Sequence, residues 1–197
     1  MRTLGILSGL VNLAGTLLYI DEIFRRKSVP ERATWFVWLI LGLVALFSQK
    51  SLGATHSLWF VGLQTFGVSL VFLLSLRFGT GGLAKFDIGV LTLAGLGILL
   101  WIVTADPLLS LSMVVIVRVI GMAATIRKTA RQPRSEALAP WVLYATSGLL
   151  AMLSVGRLDL PLLLYPTYAL VADSSVIIVK VFEQKRKGLK FISKRSR

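Results

Sequence analysis

The chain has 197 residues, of which 55% are hydrophobic and only 16% charged, with a formal net charge of +13. A soluble domain carries roughly 25% charged residues and could not cover this much apolar surface with polar groups. The absence of cysteine excludes disulfides and thiolate metal sites, and a single histidine, His56, excludes a multi-histidine centre.

Apolar runs of roughly 17–22 residues, the length that crosses a hydrocarbon core as a helix, predict seven membrane-spanning segments. Segment 1 covers 4–24, segment 2 34–50, segment 3 57–77, segment 4 86–104, segment 5 107–126, segment 6 139–155 and segment 7 160–182. A β-barrel would show short alternating stretches instead. Segment 1 is not a cleaved signal peptide, because it ends in Tyr19-Ile20-Asp21-Glu22 rather than at a small-residue cleavage site. Asp106-Pro107 opens segment 5 with an N-cap acid before a first-turn proline. Asp159 and Pro161 do the same, one residue looser, before segment 7, and Pro140 opens segment 6.

Polar residues inside a membrane are costly, so each is a candidate for function. In segment 1, Ser8, Asn12, Thr16 and Tyr19 share one helical face. They either bond across a packed seam or face a cavity. Gly5 and Gly9 supply small residues for close helix packing. Asp21 and Glu22 stand beside Arg25 and Arg26, where local charge pairing is expected. Trp35, Trp38, Trp59 and Trp141 sit near segment ends and read as interfacial anchors. Segment 3 carries Gln64, segment 5 Arg118, and segment 7 Pro166, Thr167 and Asp173. Pro166 removes one backbone bond and is expected to kink or gate its helix.

Basic residues fix the orientation. With seven spans, one face collects eighteen lysines and arginines and the other only Arg2, Lys50 and Arg157. The positive-inside rule then puts the N-terminus outside and the C-terminus in the cytoplasm of an inner or plasma membrane. On a soluble domain this charge would suggest nucleic acid. Here the bases lie in loops and the tail, so no nucleic-acid partner is expected. The tail 183–197 alternates bases with Leu189, Phe191 and Ile192 and could lie on anionic lipid.

A shift of 103 positions aligns segments 1–3 with 5–7 without a gap. Pro30 falls on Pro133, Trp38 on Trp141, Ser51 on Ser154, Gly53 on Gly156, Arg77 on Lys180 and Gln64 on Thr167. Segment 4 is left over. The chain therefore reads as a repeat over 1–78, a linker helix within 79–106, a second repeat over 107–182 and a basic tail. An odd repeat unit joined by one linker helix gives two parallel repeats related by an axis along the membrane normal.

This three-one-three layout, with a basic, proline-containing loop after the first helix of each repeat, resembles the PQ-loop and SWEET transporter superfamily. The loops read Val29-Pro30-Glu31 and Gln132-Pro133-Arg134, without the Pro-Gln dipeptide. The resemblance implies a transport fold in which the first and third helices of a repeat are neighbours. It also implies a substrate contact midway along the last helix of each repeat, where Asp173 lies, although its repeat mate Leu70 is apolar. Arg118 is about eleven residues into segment 5 and Asp173 about thirteen into segment 7, so at roughly 1.5 Å per residue their backbones reach similar depth. A direct Arg118–Asp173 ion pair follows, either locking two helices together or lining a path.

The expected function is a small-solute transporter, for a sugar or an amino-acid-like molecule, working by alternating access between two three-helix bundles. Its pathway would use Asn12, Thr16, Gln64, Arg118, Thr167 and Asp173, with Pro166 at a kink. The alternative is a receptor or assembly factor on the same seven-helix scaffold. No nucleotide-binding glycine loop, zinc-protease or serine-hydrolase motif occurs, so neither enzymatic activity nor a cofactor or metal is expected. Membrane lipids and a small solute are the expected partners, and nothing in the sequence excludes a homo-oligomer.

Overall fold

The computed structural model describes residues 1–197 apart from 27, 28, 31, 80–87, 90, 91, 93, 94, 97, 98, 100–102, 105, 132, 134–136, 196 and 197. Among the described residues there is no strand, and six helices are delimited. They are α1 (Arg2–Phe24), α2 (Arg32–Ser51), α3 (Leu58–Phe78), α4 (Pro107–Arg131), α5 (Leu138–Ser154) and α6 (Leu160–Arg195). They match predicted segments 1, 2, 3, 5, 6 and 7. Segment 4 lies largely outside the described residues. Five of the six helices are long and apolar enough to cross a membrane, and α5, with 17 residues, is shorter. This is the make-up of a multi-pass membrane protein.

The helix starts follow the sequence signals. The Asp106 carboxylate accepts the backbone N–H groups of Leu108 and Leu109 at 2.8 and 3.1 Å, and Asp159 accepts that of Leu162 at 3.2 Å. Each acid thus satisfies donors that a helix N-terminus leaves orphaned. Gly53 (φ 85°) and Gly156 (φ 73°) take left-handed conformations just past the ends of α2 and α5. Only glycine does so without steric penalty, and it stops the helix there. Two ends depart from the prediction. α4 continues to Arg131, and α6 runs through the expected tail to Arg195. The reason is local: Glu183-Gln184-Lys185-Arg186-Lys187 are all strong helix formers, and a Glu183–Arg186 ion pair at 2.8 Å spans one turn.

Large apolar side chains face outward, among them Leu10, Phe47, Phe66, Leu73 and Val171, while Ser8, Asn12, Ser48, Gln49, Ser147 and Ser154 are fully or almost fully buried. Lipid solvates apolar groups as well as a core does, so membrane bundles keep their polar and small residues for helix–helix seams. The helices close a ring in the order α1, α3, α2, α4, α6, α5 and back to α1, with α3 also touching α5. Close approach depends on glycine. At Gly5 a Cβ would strike the His56 carbonyl just ahead of α3, and at Gly9 it would lie 2.5 Å from the Trp59 carbonyl.

Pro166 sits fully buried inside α6. Lacking an N–H, it cannot bond the carbonyl four residues earlier, that of Leu162. The Gln49 amide from α2 donates to that carbonyl at 3.4 Å, while Gln49 Oε1 remains buried without a partner. A sign-specific prediction results. Pro166→Ala restores the helical bond and leaves the Gln49 amide redundant. Gln49→Leu is therefore expected to destabilise the native chain but to stabilise the Pro166→Ala variant. The coupling should be about 1–3 kcal/mol in a thermal-unfolding double-mutant cycle. Additive effects would show that the two sites are independent.

Candidate functional site

A cavity of about 410 Å³ lies inside the ring. Its walls include Asn12, Thr16 and Tyr19 from α1, Trp35 and Trp38 from α2, and Gln64 from α3. Arg118, Met122 and Thr125 come from α4, Trp141 and Tyr144 from α5, and Tyr168 and Asp173 from α6. Glu22, Thr34 and Ala137 mark one limit, where α1 ends and α2 and α5 begin. Asn12, Gln64 and Arg118 mark the other, near the middle of their helices. Beyond that floor the bundle is solid. Phe60, Val61, Leu111, Ala151 and Tyr165 are fully buried in one apolar cluster. The cavity thus runs from mid-bundle to one end, and packing closes the opposite end.

Tyr165, at the top of that cluster, supports the floor residues Arg118 and Gln64. Its ring lies under the Arg118 guanidinium, 5.2 Å from Cζ to the ring centroid, and 6.0 Å from the Phe60 ring. Its hydroxyl donates to Gln64 Oε1 at 2.6 Å. This one side chain links α3, α4 and α6 and separates the cavity from the packed cluster. An aromatic ring with a polar tip suits such a boundary, with its body in the apolar packing and its hydroxyl at the polar end.

The structure brings together Asn12, Thr16, Gln64, Arg118 and Asp173 of the sequence-derived site. Asn12 Nδ2 donates to Ser147 Oγ at 3.1 Å, tying α1 to α5. The Thr16 hydroxyl bonds the Asn12 carbonyl at 3.3 Å and packs where Gly67 leaves room. Both expectations for the α1 stripe therefore hold at once: it bonds across a seam and faces a cavity. Ser8 lies beyond the floor, bonded to the Gly5 carbonyl at 2.6 Å. Asp21 pairs with Arg25 at 2.7 Å, as expected, and Glu22 lines the cavity.

Three expectations need correction. Thr167 is exposed on the outside of the bundle, its hydroxyl 3.7 Å from Met152 Sδ, and its neighbour Tyr168 is the residue that reaches the cavity. The 103-position shift matches Thr167 to Gln64 along the chain but does not fix which way a side chain turns. Second, Trp35, Trp38 and Trp141 are cavity wall rather than interfacial anchors. Trp35 sits between Tyr19 (5.2 Å, tilted) and Trp38 (5.4 Å, edge to face), while Trp59 is 45% exposed. Nearness to a helix end identifies an amphipathic residue, not its direction.

The third correction concerns Arg118 and Asp173. α4 does pack on α6, and both residues face the cavity, yet no ion pair joins them among the described residues. Side chains in a helix lean toward its N-terminus. The long Arg118 side chain accordingly ends over Tyr165, eight residues before Asp173, or about 12 Å along the helix axis. Equal backbone depth does not make equal head-group depth. Arg118 Nε and Nη2 are left buried without a hydrogen-bond partner. Asp173 is buried and within Coulombic reach of Arg118. Like Arg118, it makes no hydrogen bond or ion pair with any described residue.

Sequence reasoning missed Tyr165, Tyr144 and Tyr168 altogether. Nothing in their spacing sets them apart from ordinary core aromatics. Comparison of the chain with family models, with characterised proteins and with solved structures gives no match.

Proposed function

We infer that the chain is a multi-pass membrane transporter for a small solute, in a state open to one side. The observation that carries this reading is the one-ended cavity, polar and charged at its floor and sealed beyond it by the Phe60–Tyr165 cluster. A protein that only anchors or assembles has no use for two unpartnered charges at mid-bundle, which are expensive to hold there. The loop-charge bias assigns the open end to the cytoplasm.

Two three-helix repeats around this cavity fit the fold. Exchanging α1–α3 with α4–α6 maps the ring order onto itself. The left-handed glycines Gly53 and Gly156 are 103 positions apart, as are the buried prolines Pro30 and Pro133. Around the prolines the fastening also recurs. Gly79 packs on the Pro30 carbonyl, and Lys180 Nζ donates to the Pro133 carbonyl at 2.7 Å. Such a scaffold moves solute by rocking one bundle against the other around a central site. This architecture is similar to that of the SWEET-like transporters. The seventh span, between α3 and α4, would be the linker.

The lack of native cysteine makes the test direct. Single cysteines at Thr125, in the cavity, and at Ala151, in the sealed cluster, are exposed to a membrane-impermeant maleimide from either side of oriented vesicles. Thr125→Cys is expected to label from the cytoplasmic side. Ala151→Cys should label only from the opposite side, during excursions to the outward-open state. If Ala151→Cys stays unlabelled from both sides over the protein's lifetime in the vesicle, alternating access is rejected.

A further inference from the structure

The two charges that face the cavity without meeting have a consequence for the ligand. A guanidinium whose Nε and Nη2 are buried without partners lacks the acceptors that usually accompany a buried charge. A buried carboxylate bonded to no described residue lacks donors. Both occupy one cavity, and the hydroxyl of Tyr165, whose ring lies under Arg118, is already committed to Gln64. A solute carrying one charge would satisfy one residue and be repelled by the other. A neutral polyol would leave both without a counter-charge.

The surroundings of the two charges differ. Asp173 shares the cavity wall with the rings of Tyr144 and Tyr168, and Trp141 stands 6.0 Å from Tyr144, edge to face. All three rings line the same cavity. Aromatic faces attract weakly hydrated cations, and cages of them recognise alkylated ammonium groups. Arg118 lines the floor, and its guanidinium carries the charge that matches a carboxylate.

We propose that the cavity binds a small zwitterion with an N-alkylated ammonium, its carboxylate on Arg118 and its alkylammonium between Asp173 and the rings of Trp141, Tyr144 and Tyr168. This rests on reading the cavity as a solute site. It adds the charge type of the solute and the direction in which it lies, anionic end toward the floor and cationic end toward the mouth.

The test uses the full-length purified protein and its own fluorescence, since Trp35, Trp38 and Trp141 line the cavity. Glycine betaine is the probe. Three relatives each lack one feature: choline has no carboxylate, 3,3-dimethylbutanoate has no positive charge, and glycine has no alkyl groups on nitrogen. Betaine is expected to bind at least about tenfold more tightly than each of the three, the ratio that one such contact commands. Choline binding as tightly as betaine would overturn the Arg118 assignment. Equal binding of dimethylbutanoate would overturn that of Asp173, and equal binding of glycine that of the rings. No saturable change with betaine overturns the whole proposal. Arg118→Gln should erase the preference for betaine over choline, and Asp173→Asn should weaken the preference over dimethylbutanoate to what the rings alone supply. If either variant fails to fold, the ligand series on the native protein still decides. Betaine binding without uptake into proteoliposomes would reject transport and leave the ligand class standing. Uptake of a neutral solute with no betaine binding would do the reverse.

Discussion

Replacing Arg118 by methionine is expected to raise the thermal stability of the detergent-solubilised protein and to abolish solute uptake. The guanidinium is held at mid-bundle with Nε and Nη2 unpartnered. Its contact with the Tyr165 ring returns about 0.5–2 kcal/mol, less than the several kcal/mol that a buried charge forfeits in hydration. An unbranched apolar side chain fills similar space without that penalty, and a gain of about 1–3 kcal/mol is expected. Stability bought at the expense of activity is the usual signature of a functional site. Asp173→Asn, made alone and with Arg118→Met, completes a cycle. Because the side chains do not touch, the coupling between them should stay below about 1 kcal/mol. A loss of about 3–5 kcal/mol from either single change, recovered in the double, would mean that the two groups pair in the membrane. The cavity would then hold no unpartnered charge.

The second large effect is expected at Gly5. An alanine Cβ there meets the carbonyl of His56, which is backbone and cannot swing aside. The start of α1 must then move away from α3, opening the packed end of the bundle. The loss should be about 1–3 kcal/mol for Gly5→Ala and should be larger for Gly5→Leu, which is expected to fail to accumulate. Gly62 on α3 is the control. Its Cβ would meet only Leu46 Cδ1, at 4.0 Å, so Gly62→Ala should be neutral or stabilising by up to about 1 kcal/mol through helix propensity. Thermal unfolding of the pair in one detergent provides the measurement. Equal responses at the two sites would show that α1 and α3 do not approach as closely at Gly5 as described.

The sequence by itself located the six described helices and most of their ends, because length, hydropathy and caps are local properties. Asp106, Asp159, Gly53 and Gly156 act on the backbone beside them and could be read one at a time. It determined that α1 carries a polar stripe, since a face follows from spacing alone. It overlooked the extension of α6 to Arg195, where charge suggested a tail although the residues favour helix. Tertiary structure alone decided which way each side chain turns within the bundle. Gln64 and Thr167 occupy matched positions, but only Gln64 reaches Tyr165 and the cavity. Trp38 and Trp141 look like anchors until neighbouring helices surround them. Arg118 and Asp173 were legible as costly residues at similar depth, and the packing of α4 on α6 was anticipated. That they remain apart depends on the N-terminal lean of a long side chain and on Tyr165 lying in its path. A helix-forming pattern constrains rise and face, one helix at a time. Whether two head groups meet depends on the rotation of two helices and on what already fills the space between them.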